Sequence, residues 1–182
     1  MRRSRPIAIT GLLVALSVLL TRFASFRLAI GGIEGIRVGI GSLPNMMAGI
    51  LLGPWYGFLA GAFADILGMI LSPMGGYMPH FTLTAALTGA IPGIVFHTLN
   101  RGTKPQEPSL FHLGMSVACA VVIVSWGLTP YFLNSLFGHD YRVIMPVRIV
   151  EGIITIAVYP VVLKAIYNPV ARIALKAQAI QG

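Results

Sequence analysis

Pro54-Trp-Tyr-Gly-Phe-Leu-Ala-Gly-Ala-Phe-Ala-Asp-Ile-Leu-Gly-Met-Ile-Leu-Ser72 decides the fold. A single charge interrupts this run, and about 20 largely apolar residues suffice for a helix to cross ~30 Å of hydrocarbon. Its small residues recur at helical spacing. Gly49, Gly53, Gly57 and Gly61 stand four apart, and Ala64 and Gly68 continue the face. Such a face lets helix backbones approach closely, which matters in lipid, where burying apolar side chains between helices gains little. The face serves either packing within the bundle or docking onto a partner membrane protein. Asp65 lies about 11 residues, or ~16 Å, into the span. A carboxylate at that depth is costly and is by default a functional candidate. It is suited to pair with an arginine, hold a sodium ion or proton, receive an amine-bearing ring, or orient a neighbouring group.

Comparable runs flank this one. Apolar stretches cover about 6–23, 37–53, 54–72, 80–99, 111–133 and 147–168. The chain is 56% hydrophobic and 10% charged, against roughly 25% charged in a soluble domain. The fold class expected is therefore an all-α integral membrane protein, one compact bundle of six transmembrane helices spanning 1–182. Short connections leave no room for a soluble catalytic domain. The first run exceeds the usual h-region and ends in Thr21-Arg22-Phe23, a poor cleavage site, so it reads as a span and not a signal peptide. Cys119, the single cysteine, lies within the fifth run and has no internal disulfide partner.

The net charge of +8 sorts by side. With six spans both termini share a side, and Arg2, Arg3, Arg5, Arg101, Lys104, Lys164, Arg172 and Lys176 fall there. These are eight of the thirteen basic residues and include every lysine, so the positive-inside rule makes that side cytoplasmic. A nucleic-acid partner is excluded, because no basic, aromatic-interleaved face exists outside the apolar runs. The five remaining cations are Arg22, Arg27, Arg37, Arg142 and Arg148. Guanidinium presents a fork of donors that matches a carboxylate bidentately, and ammonium does not. Clustered at the outer end of a bundle, these arginines suit an anionic ligand. The alternatives are lipid phosphates, or pairing with Glu34, Asp140 and Glu151. Arg148 and Glu151, three apart on one helix, favour an internal pair.

Three longer connections fall on the outer side: 24–36, 73–80 and 134–146. Loops on a rigid scaffold commonly carry binding, and Gly75-Gly76 allows a mobile lid. At the entry to the fourth run, Tyr77-Met-Pro-His80-Phe81-Thr82-Leu-Thr84 gathers aromatics, a histidine and hydroxyls. This suits stacking against a flat heteroaromatic ring, and Thr82 also reads as an N-cap after Pro79. Trp126 and Tyr131 belong either to the same cavity or to an outer aromatic belt. No Walker A loop, HExxH, GxSxG, CxxC or metal-ligand spacing is present, which leaves an enzyme reading without support and implies no cofactor. A self-sufficient secondary transporter using Asp65 is the competing class, but the halves show no convincing repeat.

Arg37-Val-Gly-Ile-Gly-Ser-Leu-Pro44, Gly53-Pro-Trp-Tyr-Gly57 and Gly61-Ala-Phe-Ala-Asp-Ile-Leu-Gly68 together resemble the S components of energy-coupling factor (ECF) vitamin transporters. Tyr77-Met-Pro-His-Phe-Thr-Leu-Thr-Ala85 and Gly89-Ala-Ile-Pro-Gly93 look more narrowly like the folate-specific members. The likeness covers nearly the whole chain. It implies a ligand-binding subunit that works with a transmembrane coupling subunit and two cytoplasmic ATPases. It also implies a vitamin held near the outer face under loops 1, 3 and 5, and toppling in the membrane for release. Gly11-xxx-Ala15 stands where the family carries an AxxxA-like docking motif on the first helix. Folate fits the chemistry above, with two tail carboxylates for arginines and rings for stacking. The ligand-binding candidates are thus Arg22, Arg37, Asp65, Tyr77, His80, Phe81, Thr82, Trp126, Arg148 and Glu151, with Gly11 and Ala15 for docking. Pantothenate or another small anionic vitamin is the alternative ligand.

Overall fold

A computed structural model describes the backbone of residues 4–23, 25–30, 33–71, 77–100 and 108–179, and the side chains of 6–23, 40–71, 77–100 and 108–169. Among these, six helices form a bundle: α1 (Ser4–Phe23), α2 (Leu43–Leu52), α3 (Pro54–Leu71), α4 (Pro79–Leu99), α5 (Leu110–Phe137) and α6 (Tyr141–Ala179). Five are long and apolar enough to cross a membrane. The sixth, α2, with its 3-10 entry Ile40–Ser42, is shorter. At 1.5 Å per residue, those 13 residues reach only ~20 Å. The outer surface is apolar: Leu12, Ile70 and Leu71 are each 70% exposed. In water such a surface would aggregate; against lipid tails it is at home.

Two apolar clusters hold the bundle. Met46, Met47 and Ile50 of α2 pack with Leu113 and Val117 of α5 and Leu163 of α6. Leu13, Val14 and Val18 of α1 pack on Ala48, Ala60 and Ala64 of α2 and α3. Where α2, α3 and α4 cross, the small residues decide the geometry. A Cβ placed on Gly49, Gly57 or Gly89 would fall on the backbone of the facing helix, and one on Gly61 would fall on the Ala85 backbone. Internal packing therefore accounts for that glycine face. Gly53 makes the abrupt reversal from α2 to α3. Its φ of +111° is open essentially to glycine alone, its N–H bonds the Gly49 carbonyl, and Pro54 starts α3 at once.

Three expectations change. Residues 24–36, expected as a connection, belong mostly to an antiparallel hairpin, β1 (Ser25–Ile30) and β2 (Ile33–Gly39). Register sets Arg27 opposite Arg37 and Phe26 opposite Val38. Residues 37–39 therefore belong to β2 and not to the second helix. The expected loop 134–146 shrinks to Gly138–Asp140, because α5 runs on to Phe137 and α6 begins at Tyr141. Gly138, at φ +67°, ends α5 with its N–H on the Asn134 carbonyl, and the Asp140 carboxylate accepts the Arg142 N–H to start α6. Finally, α4 opens with Pro79, and its cap position is Met78, which puts Thr82 inside the helix. The Gly75-Gly76 segment and residues 101–107 lie outside the described residues.

The hairpin follows Phe23 of α1, and its β2 strand runs against α6. It leads through Gly41 into α2. There, the Ser17 hydroxyl donates to the Gly41 carbonyl at 2.6 Å, and a Cβ at Gly41 would fall on Thr21. This seam fixes the hairpin and α2 to α1.

Candidate functional site

Six elements surround one cavity of about 580 Å³, within the range of small-molecule sites. Its lining extends from the hairpin end of the bundle inward. Tyr77 and Phe137, both about half exposed, bring it to the surface at that end. Each helix gives a stripe at helical spacing. From α1 come Ser17 and Arg22; from α3, Gly61, Asp65 and Gly68; from α4, Phe81, Thr84 and Thr88; from α6, Arg148, Glu151, Thr155 and Tyr159. Tyr159 lies eight residues along α6 from Glu151, and Ser17 five residues along α1 from Arg22. Helical rise therefore gives the cavity a depth of roughly 8–12 Å. The middle of α5, Val121–Leu128, widens into π-helical turns. Val121, Val124 and Ser125 of this stretch face the cavity. Such turns are uncommon and gather at functional sites.

Ionisable side chains line the part reached by Arg22, Asp65, Arg148 and Glu151. The Arg22 guanidinium donates to the Gly68 carbonyl, which lays it across α3. Arg148 pairs with Glu151 at 2.9 Å, as their i, i+3 spacing favours, and both are mostly buried. Thr82 Oγ1 lies 2.7 Å from Asp65 Oδ2 and 3.1 Å from the Tyr77 hydroxyl. The carboxylate takes the threonine proton, so the phenol donates to the threonine oxygen. A relay from Tyr77 through Thr82 thus orients Asp65. Deeper in, the groups are neutral. Ser42 and Tyr159 share a hydrogen bond of 3.1 Å, and Asn45 stands beside Met46.

Of the ten ligand-binding candidates, Arg22, Asp65, Tyr77, Phe81, Arg148 and Glu151 converge on this cavity. Three do not line it. Thr82 reaches Asp65 instead of the cavity. His80 is exposed and packs its ring against Phe132 at 5.0 Å. Trp126 turns toward α6, where its Nε1 donates to the Arg148 carbonyl at 2.9 Å, and Gly152 makes room because a Cβ there would fall on the indole. Trp126 therefore braces the helix turn that carries Arg148 and Glu151. The side chain of Arg37 lies outside those described. Gly11 and Ala15 sit on the exposed face of α1, with nothing among the described residues within 4 Å of a Cβ built at Gly11. Sequence reading missed Ser17, Ser42, Asn45, Thr88, Thr155 and Tyr159. Spacing carried part of the signal: Thr84 and Thr88 are four apart, and Glu151, Thr155 and Tyr159 form a polar stripe on an apolar helix.

The family described as "ECF-type riboflavin transporter, S component" matches residues 2–172. The folate transporter FolT of Clostridium novyi (strain NT) is 29% identical over 161 residues, covering 88% of this chain and 87% of that one. The folate transporter FolT of Streptococcus mutans serotype c is 26% identical over 97 residues, covering 53% of this chain and 52% of the relative. Among solved structures, FolT bound with folic acid superposes with a TM-score of 0.74 at 24% identity, over 92% of this chain and 97% of that one. An S component of a bacterial ECF transporter gives 0.72 at 19% identity, over 95% and 98%. At these identities the two structures establish the fold. The family match spans nearly the whole chain, and with it the chain belongs to the S components of ECF-type transporters, multi-pass subunits of the bacterial plasma membrane that bind substrate and catalyse nothing themselves.

Proposed function

We propose that this S component captures folate and delivers it for ATP-driven import. One observation carries the reading: a single cavity combines arginines near its mouth with neutral hydrogen-bonding groups at its depth. Folate has that polarity, a tail with two carboxylates and a flat ring system with polar edges. Arg22 and Arg148, with Arg37 of the hairpin, receive the tail. Tyr77 and Phe81 supply aromatic faces, while Asp65 and Glu151 accept ring or tail N–H groups. The FolT relatives, one covering most of this chain, point the same way.

Riboflavin is the second reading, favoured by the match to a family of riboflavin-transporter S components. Pantothenate is smaller and would leave the aromatic faces unused. The distribution of basic residues supports cytoplasmic termini, which turns the hairpin end outward. Family membership supports a coupling subunit and two ATPases as partners, and the open Gly11–Ala15 face of α1 is the docking surface we assign to the coupling subunit. Calorimetric titration of the purified chain with folic acid, riboflavin and pantothenate tests the ligand. One-to-one folic acid binding without ATP is expected. Binding of riboflavin or pantothenate alone replaces the ligand. Substrate uptake by the isolated chain in liposomes would favour a self-sufficient transporter.

A further inference from the structure

We propose that Asn45 selects the ligand's ring, its carboxamide pairing with a lactam-type edge in which an N–H donor adjoins a carbonyl. The assignment rests on the folate reading above. Asn45 is 6% exposed and lines the cavity, yet its Oδ1 has no hydrogen-bond partner among the described residues. The hydroxyls nearby are satisfied. Ser17 donates to the Gly41 carbonyl, Thr84 to the Phe81 carbonyl, and Ser42 pairs with Tyr159. Buried polar groups are nearly always hydrogen-bonded, so an exception calls for a reason.

The fold supplies none. Asn45 lies within the first turn of α2, past the cap position at Ser42. Leu43, Met46 and Met47 around it are buried and apolar, and a leucine at 45 would suit them better. A carboxamide offers an acceptor and a donor side by side whichever way it is turned. Its complement is an edge with the same two functions reversed. The neighbouring wall, from Met46 to Val121 and Val124, is apolar and uncharged. A carboxylate there would lose its hydration without gaining a cation. The part of the ligand that reaches Asn45 is therefore neutral, with an apolar face and a polar edge. The pterin ring has such an edge at N3–H and the 4-carbonyl; the imide of a flavin has one too.

The test is a cycle between residue and ligand. Wild-type chain and Asn45→Leu are titrated with folic acid and with folic acid methylated at ring N3. Thermal unfolding of the unliganded chains checks the fold. In wild type, methylation is expected to weaken binding roughly tenfold or more, and Asn45→Leu to weaken folic acid by a similar factor. In Asn45→Leu, methylation should cost almost nothing further. Should Asn45→Leu fail to fold, the isosteric Asn45→Asp replaces it. It keeps an acceptor but sets a carboxylate against the ring carbonyl, so it too must weaken folic acid. Unchanged folic acid affinity in the variant, or equal methylation losses in both chains, overturns the assignment while leaving the folate reading intact. If wild type takes riboflavin and not folic acid, the ligand reading falls alone, and Asn45→Leu must weaken riboflavin instead. Wild type that takes neither compound overturns both.

Discussion

Arg148 illustrates how one side chain serves fold and site together. It pairs with Glu151 along α6, its carbonyl accepts the Trp126 indole N–H, and both charged groups line the cavity. A ligand carboxylate that meets this guanidinium joins an ion pair already held in place. Replacing the arginine removes that charge and leaves Glu151 mostly buried and unpaired. Arg148→Gln, or Arg37→Gln in the hairpin, is expected to weaken folic acid by roughly 1.5–3 kcal/mol where the arginine meets a carboxylate. Titration of both variants checks this, and unchanged affinity in each rejects the arginine assignment. Thr82 acts one step further back. Thr82→Val keeps the shape and removes the hydrogen bond to Asp65. The expected loss of affinity is smaller, about 0.5–1.5 kcal/mol, with a near-normal melting temperature. A wild-type affinity would mean that Asp65 needs no orienting.

At the scale of elements, glycine decides where helices touch and where they do not. Gly89 meets the Gly57 backbone at the crossing of α3 and α4, while Gly114 on α5 has nothing among the described residues within 4 Å of a Cβ. Gly89→Ala forces two backbones apart and should lower stability by roughly 1–3 kcal/mol or more. Gly114→Ala should leave stability unchanged or slightly raised. Thermal unfolding in detergent of the two variants checks the contrast, and equal melting temperatures would remove the crossing as a stabilising contact. Apolar run length made the spans legible from sequence, and glycine spacing made the crossing legible. The hairpin also has a trace in the sequence. Phe26, Leu28 and Ile30, then Ile36, Val38 and Ile40, alternate at period two, which is a strand signal. Run length alone hid it, because beyond Arg37 the chain passes through Val38, Gly39 and Ile40 into the next apolar run without another charge. The ionisable half of the site was legible because charge is rare in these spans. Asn45, Ser42 and Tyr159 were not, because their role depends on α2 meeting α6 across more than a hundred residues of chain.

For the whole molecule, α1 has two faces with different work. One carries Val18, Ser17 and Arg22 to the core, the hairpin seam and the cavity. The other exposes Gly11, Leu12, Ala15 and Leu16. Small residues at a four-residue spacing on a lipid-facing surface leave a shallow groove in which another helix can lie close. Because no described residue packs on Gly11, enlarging that face should spare the fold and the cavity. A chain carrying Gly11→Leu with Ala15→Leu is expected to bind folic acid within about twofold of wild type, the ~0.5 kcal/mol typical of surface changes. Uptake in cells that supply the coupling subunit and ATPases should fall about tenfold or more, since large side chains hold the partner helix away from a contact built on close approach. Binding and uptake measured on the same variant separate the possibilities. Full uptake would move the docking surface elsewhere on the molecule. Loss of binding together with uptake would mean that the face supports the fold, and that α1 transmits strain from its lipid side through Ser17 to the cavity.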